Sequence, residues 1–166
     1  MVVFAMLGTL MFVSKIIMEF LPNIHLLGMF TMVFTLVFRK KALIPLYIHV
    51  VLIGLYAGFN VWWIPYLYIW TVLWGITMLL PQRMPKAVAC VVYPLVCGLH
   101  GFGYGTLYAP VQALFFGLDF KQTVAWILAG LPWDVIHGVG NICVGMLIFP
   151  LAVLLRKLIA KNGMNN

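Results

Sequence analysis

The chain has 166 residues, of which 65% are hydrophobic and 8% are charged. An ordinary soluble domain carries roughly 25% charged residues, so this composition excludes a soluble globular fold. The net charge of +7 does not indicate a nucleic-acid-binding protein, because the basic residues form short clusters between apolar runs and not a continuous basic surface. Several apolar runs reach the ~20 residues that span a bilayer, which predicts an integral membrane protein.

Polar and proline-containing breaks divide the chain into about six predicted membrane helices. They cover residues 2–20, 23–38, 42–59, 61–80, 87–108 and 134–155. Residues 109–133 are too polar for a comfortable span and too apolar for a solvated loop, so we predict two short, partly inserted helices folded against the outer face, as a lid or as an interfacial anchor. The predicted fold is an all-α bundle in one domain, residues 1–161, followed by a disordered tail, residues 162–166.

The basic residues lie mostly on one side of this six-helix topology. Eight of the ten follow the second, fourth and sixth predicted helices: Arg39, Lys40, Lys41, Arg83, Lys86, Arg156, Lys157 and Lys161. Lysine and arginine are enriched in short cytoplasmic loops, so these loops and both termini are predicted to be cytoplasmic.

Ionisable residues inside apolar runs are costly unless they are paired or face a wet cavity. Lys15 and Glu19 are four residues apart, so they can pair on one helical face, or one of them can line a ligand site. Asp134, His137 and Asn141 share one face of the last predicted helix. Asp134 would lie in its first turn and cap it, whereas the two deeper residues favour a polar strip that faces the bundle interior.

An aromatic stripe runs along the fourth predicted helix, formed by Trp63, Tyr66, Trp70 and Trp74. It is either core packing or a wall on which a flat heteroaromatic ligand stacks. The four histidines lie on different segments without metal-ligand spacing, so neither a metal site nor a cofactor is predicted. The glycine-rich string GLHGFGYG in the fifth predicted helix favours close helix contact or local unwinding.

Two strings of the sequence are similar to those of a known family. "LPNIHLLGMF" opens the second predicted helix, and "AGLPWDVIHGVGN" opens the last one. With six helices in a small chain, they resemble the substrate-binding S-components of energy-coupling factor (ECF) vitamin transporters. The resemblance implies an ABC-type importer in a prokaryotic plasma membrane, in which the chain captures a vitamin or related micronutrient from outside and docks on a transmembrane coupling protein driven by two ATPase subunits.

The resemblance also implies a docking surface of small residues on the first helix, here Ala5, Gly8 and Thr9. The chain carries no Walker motif, so ATP hydrolysis falls to its partners. Nickel and cobalt members of the broader class have a histidine directly after the initiator methionine, whereas this chain has Val2, which argues against metal-ion uptake.

These observations predict a binding protein that is not an enzyme. An apolar, aromatic-walled cavity with a few fixed polar groups suits the capture of a small molecule. The residues predicted to line it are His25, Trp63, Tyr66, His100, Trp133, Asp134, His137 and Asn141. Two alternatives stay open: an intramembrane enzyme with Asp134 and His137 as its acid–base pair, and a self-sufficient small-molecule transporter. The identity of the ligand is not predicted, and candidates range from a thiamine precursor to cobalamin.

Overall fold

The computed structural model describes residues 1–161, which form α-helices and turns without a β-strand. The prediction of an all-α protein is confirmed, and the predicted disordered tail lies outside the described residues. In chain order the helices are α1 (Val2–Ile17), α2 (Leu27–Phe38), α3 (Leu43–Ala57), α4 (Tyr66–Leu79), α5 (Lys86–Phe102), α6 (Tyr104–Phe116), α7 (Phe120–Gly145) and α8 (Ile148–Lys161). A 3-10 turn over Arg39–Ala42 joins α2 to α3.

Within residues 1–161, three helical runs are long and apolar enough to cross a membrane. They are Val61–Leu79, which contains α4, Lys86–Phe116, which contains α5 and α6, and Phe120–Gly145, which is α7. Large apolar side chains on these runs point outward, as at Leu79 and Phe120, each 86% exposed. Contiguous apolar surface of this kind is unfavourable in water and favourable in lipid, so the structure is consistent with a membrane location.

α2 lies at the centre of the bundle. It packs against α1, α4, α5, α7 and α8, and most of its 12 residues are buried. The core continues into α4 through Trp70 and Leu73 and into α8 through Ile148, all of which are fully buried. The helices that surround α2 are therefore positioned by their contacts with it.

α5 and α7 approach closely because glycines lie on both sides of their interface. A Cβ atom added at Gly101 would lie 2.9 Å from Gly138 Cα, closer than real Cβ atoms come to other groups. Beside this contact, the Asn141 amide of α7 donates a hydrogen bond to the Cys97 carbonyl of α5 at 3.3 Å. The expectation that glycines of the fifth predicted helix permit close helix contact is confirmed.

α7 begins at Phe120, so the predicted start of the last helix at Asp134 is wrong. Asp119 is the N-cap: its carboxylate accepts a hydrogen bond from Gln122 N at 2.7 Å, and Gln122 Oε1 accepts one from Asp119 N at 2.9 Å. This capping box satisfies open N–H groups at the helix start. The helix then continues through Pro132, which places Asp134 in its middle, where it cannot cap α7.

The segment predicted as two separate short helices is divided between two longer ones. Residues 109–116 belong to α6, and residues 120–133 form the first half of α7. The two helices meet at Gly117, whose φ of 64° is in the left-handed region that glycine adopts freely. The Tyr108 and Trp126 rings stack between them with centroids 6.0 Å apart. Residues 109–133 therefore form a helical hairpin, whose two arms are the second part of α6 and the first half of α7.

α1 packs tightly against α3 at Gly8. A Cβ atom at this position would lie 2.8 Å from the Pro45 carbonyl oxygen and 2.7 Å from Ile48 Cβ. Gly8 is buried against α3, so within the chain its small size serves helix packing, and its assignment to a partner-docking surface stays a prediction. Ala5 and Thr9 are exposed on α1 and stay predicted docking residues.

Candidate functional site

A cavity of about 240 Å³ lies among the end of α1, the connection between α1 and α2, the start of α4, α6 and α7. We refer to it as the histidine cavity. Its polar and aromatic lining consists of Lys15, Glu19, Asn23, His25, Trp62, Tyr66, Tyr104, Tyr108 and His137. Ligand pockets usually measure roughly 300–1,000 Å³, so the histidine cavity is below that range and has room only for a small molecule.

The charged groups of the cavity are Lys15 and Glu19 at the end of α1. Lys15 Nζ lies 3.7 Å from Glu19 Oε1, which confirms the predicted pairing. Both side chains also line the histidine cavity, so pairing and contact with a ligand do not exclude each other. Glu19 is 54% exposed whereas Lys15 is 19% exposed, which places the carboxylate nearer the surface.

The interior of the cavity is formed by two imidazoles and a phenol. The His137 ring centroid lies 4.7 Å from that of His25 and 4.8 Å from that of Tyr104, both in edge-to-face geometry. His137 Nε2 is buried and has no hydrogen-bond partner among the residues that the structure describes. An unpaired buried polar atom costs about 1–3 kcal/mol, so a hydrogen bond to His137 Nε2 from a molecule in the cavity would be favourable.

His25 lies in the connection between α1 and α2. Burial, together with the neighbouring His137 imidazole, holds the pKa of His25 well below its ordinary value, and Lys15 acts in the same direction. His25 is therefore neutral at pH 7, and a neutral imidazole has one donor and one acceptor nitrogen. The cavity thus combines a neutral hydrogen-bonding interior with a charged pair near its mouth.

Trp70 forms a layer behind the cavity wall. Its ring centroid lies 5.7 Å from those of His25 and His100, 5.9 Å from that of Tyr104 and 6.0 Å from that of Tyr66. Trp70 is fully buried, and within residues 1–161 its indole Nε1 has no hydrogen-bond partner. Two residues of the predicted aromatic stripe therefore differ in their surroundings. Trp70 is part of the core, whereas Tyr66 lines the cavity.

Some of the predicted site residues come together here. His25, Tyr66 and His137 line the histidine cavity. His100 lies one layer behind, with its ring 6.3 Å from that of Tyr104, and its Nε2 atom is 3.1 Å from the Ile69 carbonyl oxygen.

Other predicted site residues contact protein groups away from the cavity lining. Trp63 Nε1 donates a hydrogen bond to the Val50 carbonyl at 2.8 Å, which ties the turn before α4 to α3. Asn141 lies between α5 and α7, as described above. Trp133 is 53% exposed on the outer surface of α7. These three side chains are structural or peripheral in this arrangement.

Asp134 holds the start of α6. Its two carboxylate oxygens lie 3.0 and 3.1 Å from Gly105 N and accept its hydrogen bond. This N–H is in the first turn of α6, where no partner exists within the helix, and a negative charge is favoured there. A Cβ at Gly105 would collide with the carboxylate, so the contact requires glycine. Asp134 thus caps a neighbouring helix instead of its own, and it is not part of the cavity lining.

Tyr104 and Tyr108 line the cavity but were not predicted. Together with His100 they recur every four residues, a spacing that places side chains on one helical face and was readable in the sequence. The Tyr108 hydroxyl donates a hydrogen bond to the Trp62 carbonyl at 2.9 Å. The Tyr68 hydroxyl donates one to the Leu107 carbonyl at 2.6 Å. These bonds hold α6 against the start of α4 and against the turn before it, and so position the cavity wall.

Within residues 1–161, no group of three or more His, Cys, Asp or Glu side chains is arranged to hold a metal ion. Comparison with known protein families, curated proteins and solved structures finds no match for this chain.

Proposed function

We propose that the chain is the substrate-binding subunit of a membrane importer and that it captures a vitamin-like small molecule in the histidine cavity. The observation that carries this proposal is His137 Nε2, which is buried and unpaired on a residue that lines the cavity. A ligand that hydrogen-bonds this nitrogen would remove the cost of burying it. Flat faces of the same ligand would be covered by the surrounding aromatic rings.

The lining favours a small, flat heteroaromatic ligand with polar substituents. Imidazole and phenol groups offer both donors and acceptors in the interior. Lys15 and Glu19 offer one charge of each sign near the mouth. A volume of about 240 Å³ fits a small ring system, whereas cobalamin is far larger. The proposal therefore favours the smaller of the micronutrients that the sequence leaves open.

In this proposal the chain crosses a prokaryotic plasma membrane six times, with both termini in the cytoplasm and the histidine cavity facing outward. The proposal is supported by the outward-facing apolar side chains and by the cavity's position at the end of α1, the opposite end of the bundle from Arg39–Ala42. Energy for uptake would come from a transmembrane coupling protein and two ATPase subunits. Ala5 and Thr9 on α1 are proposed contacts of the coupling protein.

The ligand can be identified by mass spectrometry of small molecules that co-purify with the detergent-solubilised protein. The decisive variant is His137→Ala, which removes the unpaired nitrogen from the cavity. His49→Ala is a matched control, because His49 is also buried and its ring nitrogens also lack partners among the described residues, but it does not line the cavity.

We expect His137→Ala to bind the identified molecule about 5- to 150-fold more weakly, which corresponds to the loss of roughly 1–3 kcal/mol of hydrogen bonding. The His49→Ala control should keep the wild-type affinity even if it melts at a lower temperature. Equal affinities for His137→Ala and wild type would refute the assignment of the histidine cavity as the binding site.

A further inference from the structure

A second cavity, of about 940 Å³, lies at the opposite end of the bundle, and four basic side chains line it. We refer to it as the basic cavity. The bases are Arg39, Lys40, Lys41 and Arg156. They come from the 3-10 turn after α2 and from α8, and the start of α1 and the end of α4 complete the wall.

Backbone carbonyls hold the two arginines in place. Arg39 Nη2 donates a hydrogen bond to the Met78 carbonyl at the end of α4, and Arg156 Nη2 donates one to the Leu36 carbonyl of α2, both at 2.8 Å. Arg39 also has a φ of 54°, a backbone conformation that is uncommon outside glycine. Its Nη1 atom is buried and unpaired among the described residues, which leaves guanidinium donors for another acceptor.

The chain supplies no side-chain carboxylate to balance these charges. It has three acidic residues, and each is engaged elsewhere: Glu19 with Lys15, Asp119 at the start of α7 and Asp134 on Gly105. None of them lines the basic cavity. Four like charges line one cavity without a carboxylate, so an anion bound among them would offset their mutual repulsion.

The remaining walls of the basic cavity are apolar. Phe4, Val37, Phe38, Met78 and Ile159 contribute them. A free inorganic anion would use the charges but not these walls, whereas a lipid with an anionic headgroup would use both.

We propose that the basic cavity binds the headgroup of an acidic phospholipid of the inner leaflet, with its phosphate on the arginines and the start of its acyl chains on the apolar wall. Guanidinium groups suit phosphate because their donors match its oxygens in pairs. This site is separate from the histidine cavity and does not depend on the ligand proposed for it, but its assignment to the inner leaflet rests on the topology proposed above.

The test uses the whole chain in nanodiscs of phosphatidylglycerol or of phosphatidylcholine. Native mass spectrometry counts the lipids that stay bound when the protein is released, and melting curves report stabilisation. Inorganic phosphate added to the protein in neutral detergent forms a third arm, which distinguishes a lipid site from a phosphate site.

Two variants remove charge from the basic cavity. Arg39→Gln/Arg156→Gln keeps side chains that can donate to the Met78 and Leu36 carbonyls. Lys40→Gln/Lys41→Gln leaves both arginine anchors intact and covers the case in which the first variant folds poorly. A double substitution of Arg83 and Lys86 to Gln is the matched control, because these bases do not line the basic cavity.

We expect the wild type and the control to retain phosphatidylglycerol over phosphatidylcholine by roughly tenfold or more, and both cavity variants to lose most of this preference. Undiminished preference in the cavity variants would overturn the proposal. Equal stabilisation by inorganic phosphate would overturn the assignment to a lipid, and no preference in the wild type would refute the site altogether.

Discussion

The contact between Asp134 and Gly105 leads to a prediction about coupled substitutions. Asp134→Ala removes the acceptor of the Gly105 N–H, and an unpaired, partly buried donor costs about 1–3 kcal/mol. Asp134→Asn keeps an acceptor oxygen but loses the charge beside the start of α6, which is worth about 0.3–1 kcal/mol. The free energy of unfolding should therefore fall more in Asp134→Ala than in Asp134→Asn.

Gly105→Ala tests the same contact from its other side. A methyl group here collides with the Asp134 carboxylate, and overpacking of this kind costs roughly 1–3 kcal/mol. In the Asp134→Ala background the collision is absent, so Gly105→Ala should cost much less there. The two substitutions should be non-additive, with a coupling energy on the order of 1 kcal/mol.

Unfolding can be followed with a thiol-reactive fluorogenic dye. Cys97 is fully buried between α5 and α7, and replacing the exposed Cys90 and Cys143 by alanine makes it the only reporter thiol. Strictly additive losses would refute the structural role of the contact. So would an Asp134→Ala variant of wild-type stability that binds ligand more weakly, because that result would place the carboxylate against the ligand.

In a cysteine-free background, a cysteine placed at Gln82 should not react with a membrane-impermeant thiol reagent added outside intact cells, whereas a cysteine placed at Gln122 should react. The reverse pattern would contradict the proposed topology. Gly8→Leu should destabilise the protein by roughly 1–3 kcal/mol, because the side chain meets α3, and the neighbouring exposed Thr9→Leu should have little effect. Equal melting temperatures for Gly8→Leu and wild type would show that α1 and α3 do not pack as described.

The helical class and the approximate bounds of α2, α3 and α4 could be predicted because basic or proline-containing breaks separate their apolar runs. The start of α7 could not be found by the same rule. Pro132 suggested a boundary, yet α7 continues through it, as membrane helices often do when neighbouring groups satisfy the freed carbonyl. Asp119 and Gln122 did carry the signal, since their spacing is that of a capping box.

The residues of the candidate site were harder to predict, because spacing gives the face of a helix but not what that face contacts. Asp134 and His137 are three residues apart on α7, but one contacts Gly105 of α6 and the other lines the histidine cavity. That difference depends on where α6 begins relative to α7. Gly105 lets α6 approach the carboxylate, and no pattern within the α7 sequence contains this information.

Because α2 lies at the centre of the bundle, its length does not have to match the thickness of a bilayer. With 12 residues, α2 is about 18 Å long, much shorter than a ~30 Å hydrocarbon layer. A lipid-facing helix of this length would deform the bilayer, but α2 is enclosed by other helices and escapes that constraint. Of the three runs long and apolar enough to cross a membrane, the run of α5 and α6 is the longest, with 31 residues, so in a bilayer it would differ most from the hydrocarbon thickness. His25, in the connection before α2, and Tyr104, the first residue of α6, both line the histidine cavity. In a membrane, a change of acyl-chain length would therefore reach the site through α6 without any change in sequence.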